Sequence, residues 1–579
     1  MRVIHTVIPW TIPGDSAATA AVPDVRSHPA DAPARPGWRR VPGRADAPRA
    51  LRAAAALLGL AVIGSYLGIA LARLGYPFPL EVLESNSLVE VHRILGGQPL
   101  YAAPTVGYVP DGYPPLYFGV SAAASVLGQS YLPLRLVSLV SSLACFAIAA
   151  RLVQRETASA GAGVAAAGLL AATYFATSTW FDVARVDSLF LALSVAGLYL
   201  VRWMRSPRGA IAAGLLLGAA FLTKQTALAE GVAVLTAVAL GPRRRLAIPA
   251  ALAYSAVLGV STLALGLASH GWYLYYVFEQ MSEHALNGPA AWQFWTSYLL
   301  PALGIAVGAA LLAARRIPPV LLAGCVALVV EGYAALVHAG GGVNDLLPAY
   351  LVVALLAGLA MGGRPDLALG GRAGRLAQVR TVSWHPGRAG RRAAAAAGVL
   401  VIAQLAVLAA GFRPGHAIPE AADRAAGLRL AAGLRALGGT VAFPADPALA
   451  VMVGLPAIED QFATVDVLRA SDPAAKAIFT RSVARAVATR RFTVIITEID
   501  GDLRGFPADL TDYYHRCPQM PLLGIPPAPF RKSAAIQPVS VWLPVGRGSC
   551  AAAARALDGP LATGSPARPG IPGSSGAGQ

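Results

Sequence analysis

Charge is what this chain lacks most. Only 13% of its 579 residues are Asp, Glu, Lys or Arg, whereas 56% are hydrophobic and the mean hydropathy is +0.56. Soluble domains carry about 25% charged residues, so a freely soluble protein is excluded and a polytopic membrane protein is expected. Lysine is scarcer still, with three against 44 arginines. Of four cysteines, Cys145 and Cys325 lie in apolar runs and read as packing residues. Cys517 and Cys550 fall late in the chain, where an oxidising compartment would permit a disulfide, or where both stay free. No Cys-x-x-Cys or His/Cys spacing marks a zinc finger. The chain also lacks a Walker phosphate loop, a His-Glu-x-x-His helix and a Gly-x-Ser-x-Gly elbow. Nucleotide-driven transport is therefore not expected of it. Gly161, Gly163 and Gly168 have the wrong spacing for a dinucleotide loop and sit inside an apolar run, where small residues serve helix packing.

The net charge of +17 would point to nucleic acid in a soluble protein. Here the arginines gather in particular loops, and no nucleic-acid partner is expected. Residues 1–50 read as a disordered basic cytoplasmic tail rather than a cleavable signal. Arginines recur at 151 and 155, at 202, 205 and 208, at 243–245 and at 315–316. The stretch from Gly363 to Arg392 holds seven more and one acid, Asp366. By contrast, His270 to Trp295 has Glu279 and Glu283 and neither Lys nor Arg. The positive-inside rule places the arginine loops in the cytoplasm and the acidic loops outside.

The first span is expected near Leu51–Leu74, about the 20 residues a bilayer requires. Further apolar runs lie near 132–150, 161–180, 188–203, 210–222, 226–241, 247–268, 297–314, 318–338, 346–362 and 393–412. That gives about 11 spans, with Leu116–Leu127 as a partial one and 210–241 as a hairpin that does not fully cross. Residues 51–412 thus form an all-α transmembrane domain with a first outer loop at 75–114. Residues 413–548 read as a small extracytoplasmic α/β domain. Its helical patterns are Ala421–Leu437 and Ala474–Arg491, and its β-branched strands are Thr440–Phe443 and Phe492–Ile496. Residues 549–579, mostly Ala, Gly, Pro and Ser, read as a disordered tail.

Between the first two spans lies a segment that is not apolar. From Leu80 to Phe118, Glu81, Glu84, Glu90 and Asp111 accompany a single Arg93, and tyrosines and prolines crowd the second half. Elsewhere, polar residues beside membrane spans are costly and become functional candidates. Asp182, Arg185 and Asp187 sit between two apolar runs, and Asp182 and Arg185 have the spacing to pair on a helix face. The alternative is a self-neutralising interfacial turn. Lys224 is either a snorkelling interfacial lysine or a cation for a lipid phosphate. His284 beside Glu283 is either a metal ligand or one of a solvated pair. Asn344 follows three glycines that let backbone approach a ligand, or simply turn.

The order of these segments resembles the GT-C superfamily of membrane glycosyltransferases, nearest the protein O-mannosyltransferase and aminoarabinose-lipid A transferase branch (glycosyltransferase family 39-like). The likeness rests on Glu84 followed by Gly97-Gln-Pro-Leu-Tyr101, on Pro114-Pro-Leu116 with Arg135, on Arg185 and Asp187, on Thr223-Lys224, and on Glu283-His284. It implies transfer of a sugar from a polyprenyl-phosphate donor to an acceptor hydroxyl on a glycan, lipid or protein. The reaction would take place, with inversion, outside a bacterial-type cytoplasmic membrane. Glu84 would be the general base and Asp187 its catalytic companion. Arg185, Lys224 and His284 would bind the donor phosphate, and Tyr101, Tyr113 and Asn344 would line the substrate loop. A divalent metal ion would sit on Asp111 and His284. The chain departs from the pattern in having Glu84-Ser85 where many relatives have Asp-Glu, and in the displaced position of Asp111. A flippase for lipid-linked sugars or a non-catalytic scaffold would be the competing classes. A transporter would be expected to show internal repeats, and none is evident.

Overall fold

The computed structural model describes residues 47–313, 317–362, 388–497, 505–517 and 540–558. The expected N-terminal tail, most of the tail beyond 549, Arg315 and Arg316, and most of the arginine loop after Gly363 lie outside the described residues. Ala- and Leu-rich sequence without interior proline gives α1 (Ala47–Leu74), 28 residues or about 42 Å long. Six further helices are long and apolar enough to cross a bilayer. These are α4 (Tyr131–Thr157) and the segments Arg244–Ala268, Gly288–Leu311, Pro319–Val337, Val343–Gly362 and Ala389–Ala410. Shorter apolar helices fill the bundle: α3 (Leu116–Leu127), α5 (Ala160–Ala172), α7 (Pro207–Thr223) and α8 (Ala227–Ala239). Beside them lies α6 (Asp187–Trp203). Leu57, Leu60, Ile248, Val260 and Leu263 remain exposed on the outer faces, as lipid-facing side chains would.

Small residues set the closest helix crossings. A Cβ on Gly168 of α5 would stand 2.2 Å from Gly59 Cα of α1, and one on Gly163 2.3 Å from the Ala150 carbonyl of α4. These glycines are packing surfaces, as their place in an apolar run implied.

The span expected over 161–180 stops short. Helix α5 ends at Ala172, and Ser178 and Thr179 take left-handed φ of 51° and 62°. The hydroxyls of Thr173 and Thr177 bond nearby carbonyls, Leu170 O at 2.7 Å and Tyr174 O at 3.0 Å, competing with helix continuation. The Trp180–Val186 segment therefore enters as irregular backbone, and the expected Asp182–Arg185 helix-face pair does not form. Asp182 instead takes a buried two-point contact from Arg73 at the end of α1.

Beyond Ala410 the chain builds a second layer. The helix Ala421–Leu437 spans the expected residues, and the pattern at 474–491 forms a helix over Pro473–Ala488. A four-stranded sheet among the described residues contains β1 (Val441–Ala442), β2 (Val494–Thr497), β3 (Tyr514–Arg516) and β4 (Ser540–Pro544). Its order is β1-β2-β4-β3. β1 runs parallel to β2, with helices in the crossover, and β4 is antiparallel to both neighbours. Cys517 and Cys550 are disulfide-bonded, tying the end of β3 to the helix Cys550–Asp558. Cys145 and Cys325 are free and buried in the helical core.

The polar first loop joins the two layers. Its helix α2 (Glu84–Leu95), 12 residues long, is too short to cross a membrane. Ser85 donates to Asp446 Oδ1 at 2.6 Å and accepts from Ala448 N at 2.9 Å, while Glu459 N donates to Val106 O at 3.1 Å. The arginines collect at the opposite helix ends: α6 begins at Asp187 and carries Arg202 in its last turn, where Arg202 pairs with Glu156 at 2.6 Å.

Candidate active site

A cavity of ≈ 1060 Å³ opens between the helix ends and the second layer. Its floor comes from the irregular Trp180–Val186 segment, the break between α7 and α8 at Lys224–Thr226, and the 338–345 loop. Leu228, Phe278, Ala334 and Ala335 form an apolar flank, and the segment 459–469 forms the far wall.

The four acids of the first loop do not share one role. Glu84 is fully buried and does not line the cavity. Arg135 binds both its oxygens, at 2.9 and 2.6 Å, and the backbone amides of Leu80 and Ala184 each donate to it at 2.6 Å. Although burial works against its charge, Arg135 and these donors hold the Glu84 carboxyl below the usual range. A carboxylate so saturated has no lone pair facing a substrate. This geometry makes Glu84 a clasp between the first loop, α4 and the Trp180–Val186 segment, and the carboxylate expected to be the base does not face the cavity. Glu90 is also internal, accepting from Tyr108 and from Asp111 N at 2.8 Å.

Asp111 alone of the four lines the cavity. Asn86 Nδ2 donates to its Oδ1 at 2.6 Å, while Oδ2 has no hydrogen-bond partner and lies 3.7 Å from Arg185 Nη1. Burial raises its pKa, with Arg185 and Asn86 pulling the other way. Arg185 donates to the Tyr113 hydroxyl at 3.1 Å and lies 5.1 Å from that ring's centre, and its Nε has no partner.

Lys224 is enclosed rather than snorkelling. Its Nζ lies 2.9 Å from Asp187 Oδ1 and 2.8 Å from Asp345 Oδ1, so two of its three donors serve protein carboxylates. Asn344 Nδ2 completes this knot by donating to Asp187 at 3.2 Å, and Trp180 Nε1 donates to the other Asp187 oxygen at 2.7 Å. Asp187 and Asn344 therefore position Lys224 from outside the cavity wall. Tyr101 does not reach the cavity either: it is buried against Tyr273 and donates to the Tyr113 carbonyl at 2.7 Å. It shapes the loop that carries Tyr113.

His284 lines the cavity, its Nδ1 3.0 Å from the Ala339 carbonyl and its Nε2 3.5 Å from Asp466 Oδ1. Burial and the neighbouring His338 lower its pKa, favouring the neutral ring. Glu283 is not its partner but holds the backbone amide of Ser471 at 2.5 Å. Asp111 faces the Arg185 cation, and no group of three metal-ligand side chains containing Asp111 and His284 is found among the described residues. The one group of three metal-ligand side chains found among the described residues is His515 with the disulfide-bonded Cys517 and Cys550.

Sequence reasoning missed Asp345, adjacent to Asn344, and the wall residues Glu459, Phe462, Asp466 and Arg469. The adjacent acids Glu459 and Asp460 at the start of an amphipathic turn were the available signal.

The sequence model of the dolichyl-phosphate-mannose-protein mannosyltransferase family matches residues 113–272, which carry Tyr113, Arg135, Arg185, Asp187 and Lys224. No curated protein matches the chain by sequence. Among solved structures it is similar to ArnT from Cupriavidus metallidurans bound to undecaprenyl phosphate, with 12% identity and a TM-score of 0.52. It is also similar to the apo form of that protein, with 14% identity and a TM-score of 0.51. In both cases the match covers 83% of this chain and 97% of the other. The chain has an ArnT-like GT-C fold.

Proposed function

We propose that the chain is an integral membrane glycosyltransferase that moves a sugar from a polyprenyl-phosphate donor to an acceptor hydroxyl on the extracytoplasmic face. The observation that carries this reading is the meeting, in one cavity beside an apolar flank, of a carboxylate with an unbonded oxygen and a guanidinium with an unbonded nitrogen. The undecaprenyl phosphate held by the structurally similar ArnT supports a lipid-phosphate donor. The asymmetric placing of arginines supports a cavity on the outer side.

In this mechanism the acceptor oxygen attacks the anomeric carbon while its proton passes to Asp111 Oδ2. The bond from the anomeric carbon to the phosphate oxygen breaks, and its electron pair stays on the phosphate. Arg185 stabilises the charge that develops there in a poorly hydrated site. Lys224, balanced by two carboxylates, contributes its remaining donor and keeps the floor rigid. His284, held neutral, offers a hydrogen bond rather than a charge. Displacement from the opposite face inverts the anomeric centre. Asp111 thus takes the role that the sequence pattern gave to Glu84. Leu228 and Phe278 would lie along the first isoprene units.

Binding of undecaprenyl monophosphate to the purified protein tests the donor half. Hydrogen bonds to charged groups contribute about 1.5–3 kcal/mol, so Arg185→Gln is expected to weaken binding about ten- to hundredfold. Unchanged affinity in this variant would remove the cavity from the donor path.

A further inference from the structure

The far wall of the cavity has a chemistry that donor binding does not use. Asp460 caps the helix Gln461–Arg469, accepting from Phe462 N at 2.8 Å and Ala463 N at 3.2 Å. The helical repeat then puts Phe462, Asp466 and Arg469 on one face, all three lining the cavity. Phe462 is 40% exposed, and Phe506 lines the same cavity. Just before the helix stands Glu459, 2% exposed, also lining the cavity, with Oε2 lacking any hydrogen-bond partner. Burial and the adjacent Asp460 push the Glu459 carboxyl well above the usual range. A buried polar atom left without a partner is costly, and a ligand bearing hydroxyl donors would relieve that cost.

We propose that this wall is the acceptor subsite and that the acceptor it takes is a carbohydrate. The inference rests on the transferase reading of the cavity and deepens it. A sugar ring offers what the wall requires: neighbouring hydroxyls that bond to the Glu459 carboxyl and to Asp466, hydroxyl oxygens that accept from Arg469, and an apolar C–H face for Phe462. A serine- or threonine-bearing peptide offers a single side-chain hydroxyl and no such face. The wall also stands next to the proposed base. Glu459 is bonded through its own amide to Val106 of the loop that carries Asp111, and the Asp111 charge contributes to the raised pKa of Asp460. An acceptor ring held on Phe462 would present a hydroxyl toward Asp111.

The test uses the purified full-length protein, wild type and the variants Glu459→Gln and Phe462→Ala. Saturation-transfer NMR would measure binding of soluble mannose, galactose and arabinose oligosaccharides and of a threonine-containing peptide. Undecaprenyl monophosphate binding would be measured in parallel. The expected result is that wild type binds at least one saccharide, that each variant weakens it about tenfold, and that lipid-phosphate affinity stays within twofold. That last readout shows each variant is folded. If wild type binds the peptide and no saccharide, or neither, or if both variants bind saccharide as wild type does, the proposal is overturned. Absence of lipid-phosphate binding in wild type would instead overturn the donor reading.

Discussion

The Glu84–Arg135 clasp makes a prediction that separates a structural carboxylate from a catalytic one. Both side chains are fully buried, joined at 2.6 and 2.9 Å, with Arg135 further bonded to the Tyr76 and Phe78 carbonyls at 2.5 and 2.7 Å. Removing one partner of such a pair leaves the other charge uncompensated in a dry site, at a cost of about 3–5 kcal/mol. Glu84→Gln and Arg135→Gln are each expected to lower stability by about that amount. The double variant should lose much less than their sum, because no orphaned charge remains. Thermal unfolding of the four proteins in one detergent, closed as a double-mutant cycle, measures the coupling. Glu84→Gln protein that stays folded below its lowered melting point should still bind undecaprenyl monophosphate. The reasoning fails if Glu84→Gln melts like wild type while turnover drops by the 10²–10⁴-fold typical of a lost general base. That pattern would return Glu84 to the role the sequence order assigned it.

Four further outcomes follow from the same geometry. Asp111→Asn should fold and bind lipid phosphate yet lose about 10²–10⁴-fold in turnover, the contribution of a general base. Because burial raises the Asp111 pKa and a base must be unprotonated, the wild-type rate should rise with pH through a limb above the ordinary carboxylate range; a pH–rate profile without such a limb would count against Asp111. Asp460 is held at about 8 by burial, so between the ordinary Asp value and about 8 the folded state binds a proton that the unfolded state has released. Its contribution therefore destabilises progressively as pH rises through that window, and Asp460→Asn should flatten the fall in melting temperature. Cys517 and Cys550 are 33 residues apart, for which loop-closure entropy gives up to about 4 kcal/mol; Cys517→Ser with Cys550→Ser should destabilise the second layer by no more than that, read by limited proteolysis.

What the sequence made legible was whatever depends on local pattern. Hydropathy and arginine placing gave the membrane class and most helices. β-branched runs located β1 and β2, and Arg185, Lys224 and His284 were singled out as unusual before they were seen to meet. What it hid was the occupancy of each polar atom. Whether Glu84 or Asp111 keeps a free oxygen is decided by Arg135, 51 residues on, and by backbone amides at Leu80 and Ala184. Asp182 looked like a partner for Arg185 at helical spacing, but threonine hydroxyls break the helix there and Arg73, 109 residues earlier, takes it. The wall at 459–469 left only its adjacent acids as a signal, for a related reason. Its acids come from a second layer hundreds of residues beyond the first loop, and spacing carries no trace of that contact. The disulfide, open on sequence alone, needed the packing of β3 against the last described helix.

The most direct test of the central claim is a mass-spectrometric profile of polyprenyl-phosphate sugars and surface glycoconjugates. It would compare host cells carrying wild-type protein, no protein, or Asp111→Asn at equal membrane abundance. The account predicts that Asp111→Asn matches the deletion, with one lipid-linked sugar accumulating and one sugar missing from the surface. An Asp111→Asn profile equal to wild type, with donor trapped on the inner leaflet only in the deletion, would contradict transfer chemistry in this cavity and identify a carrier instead.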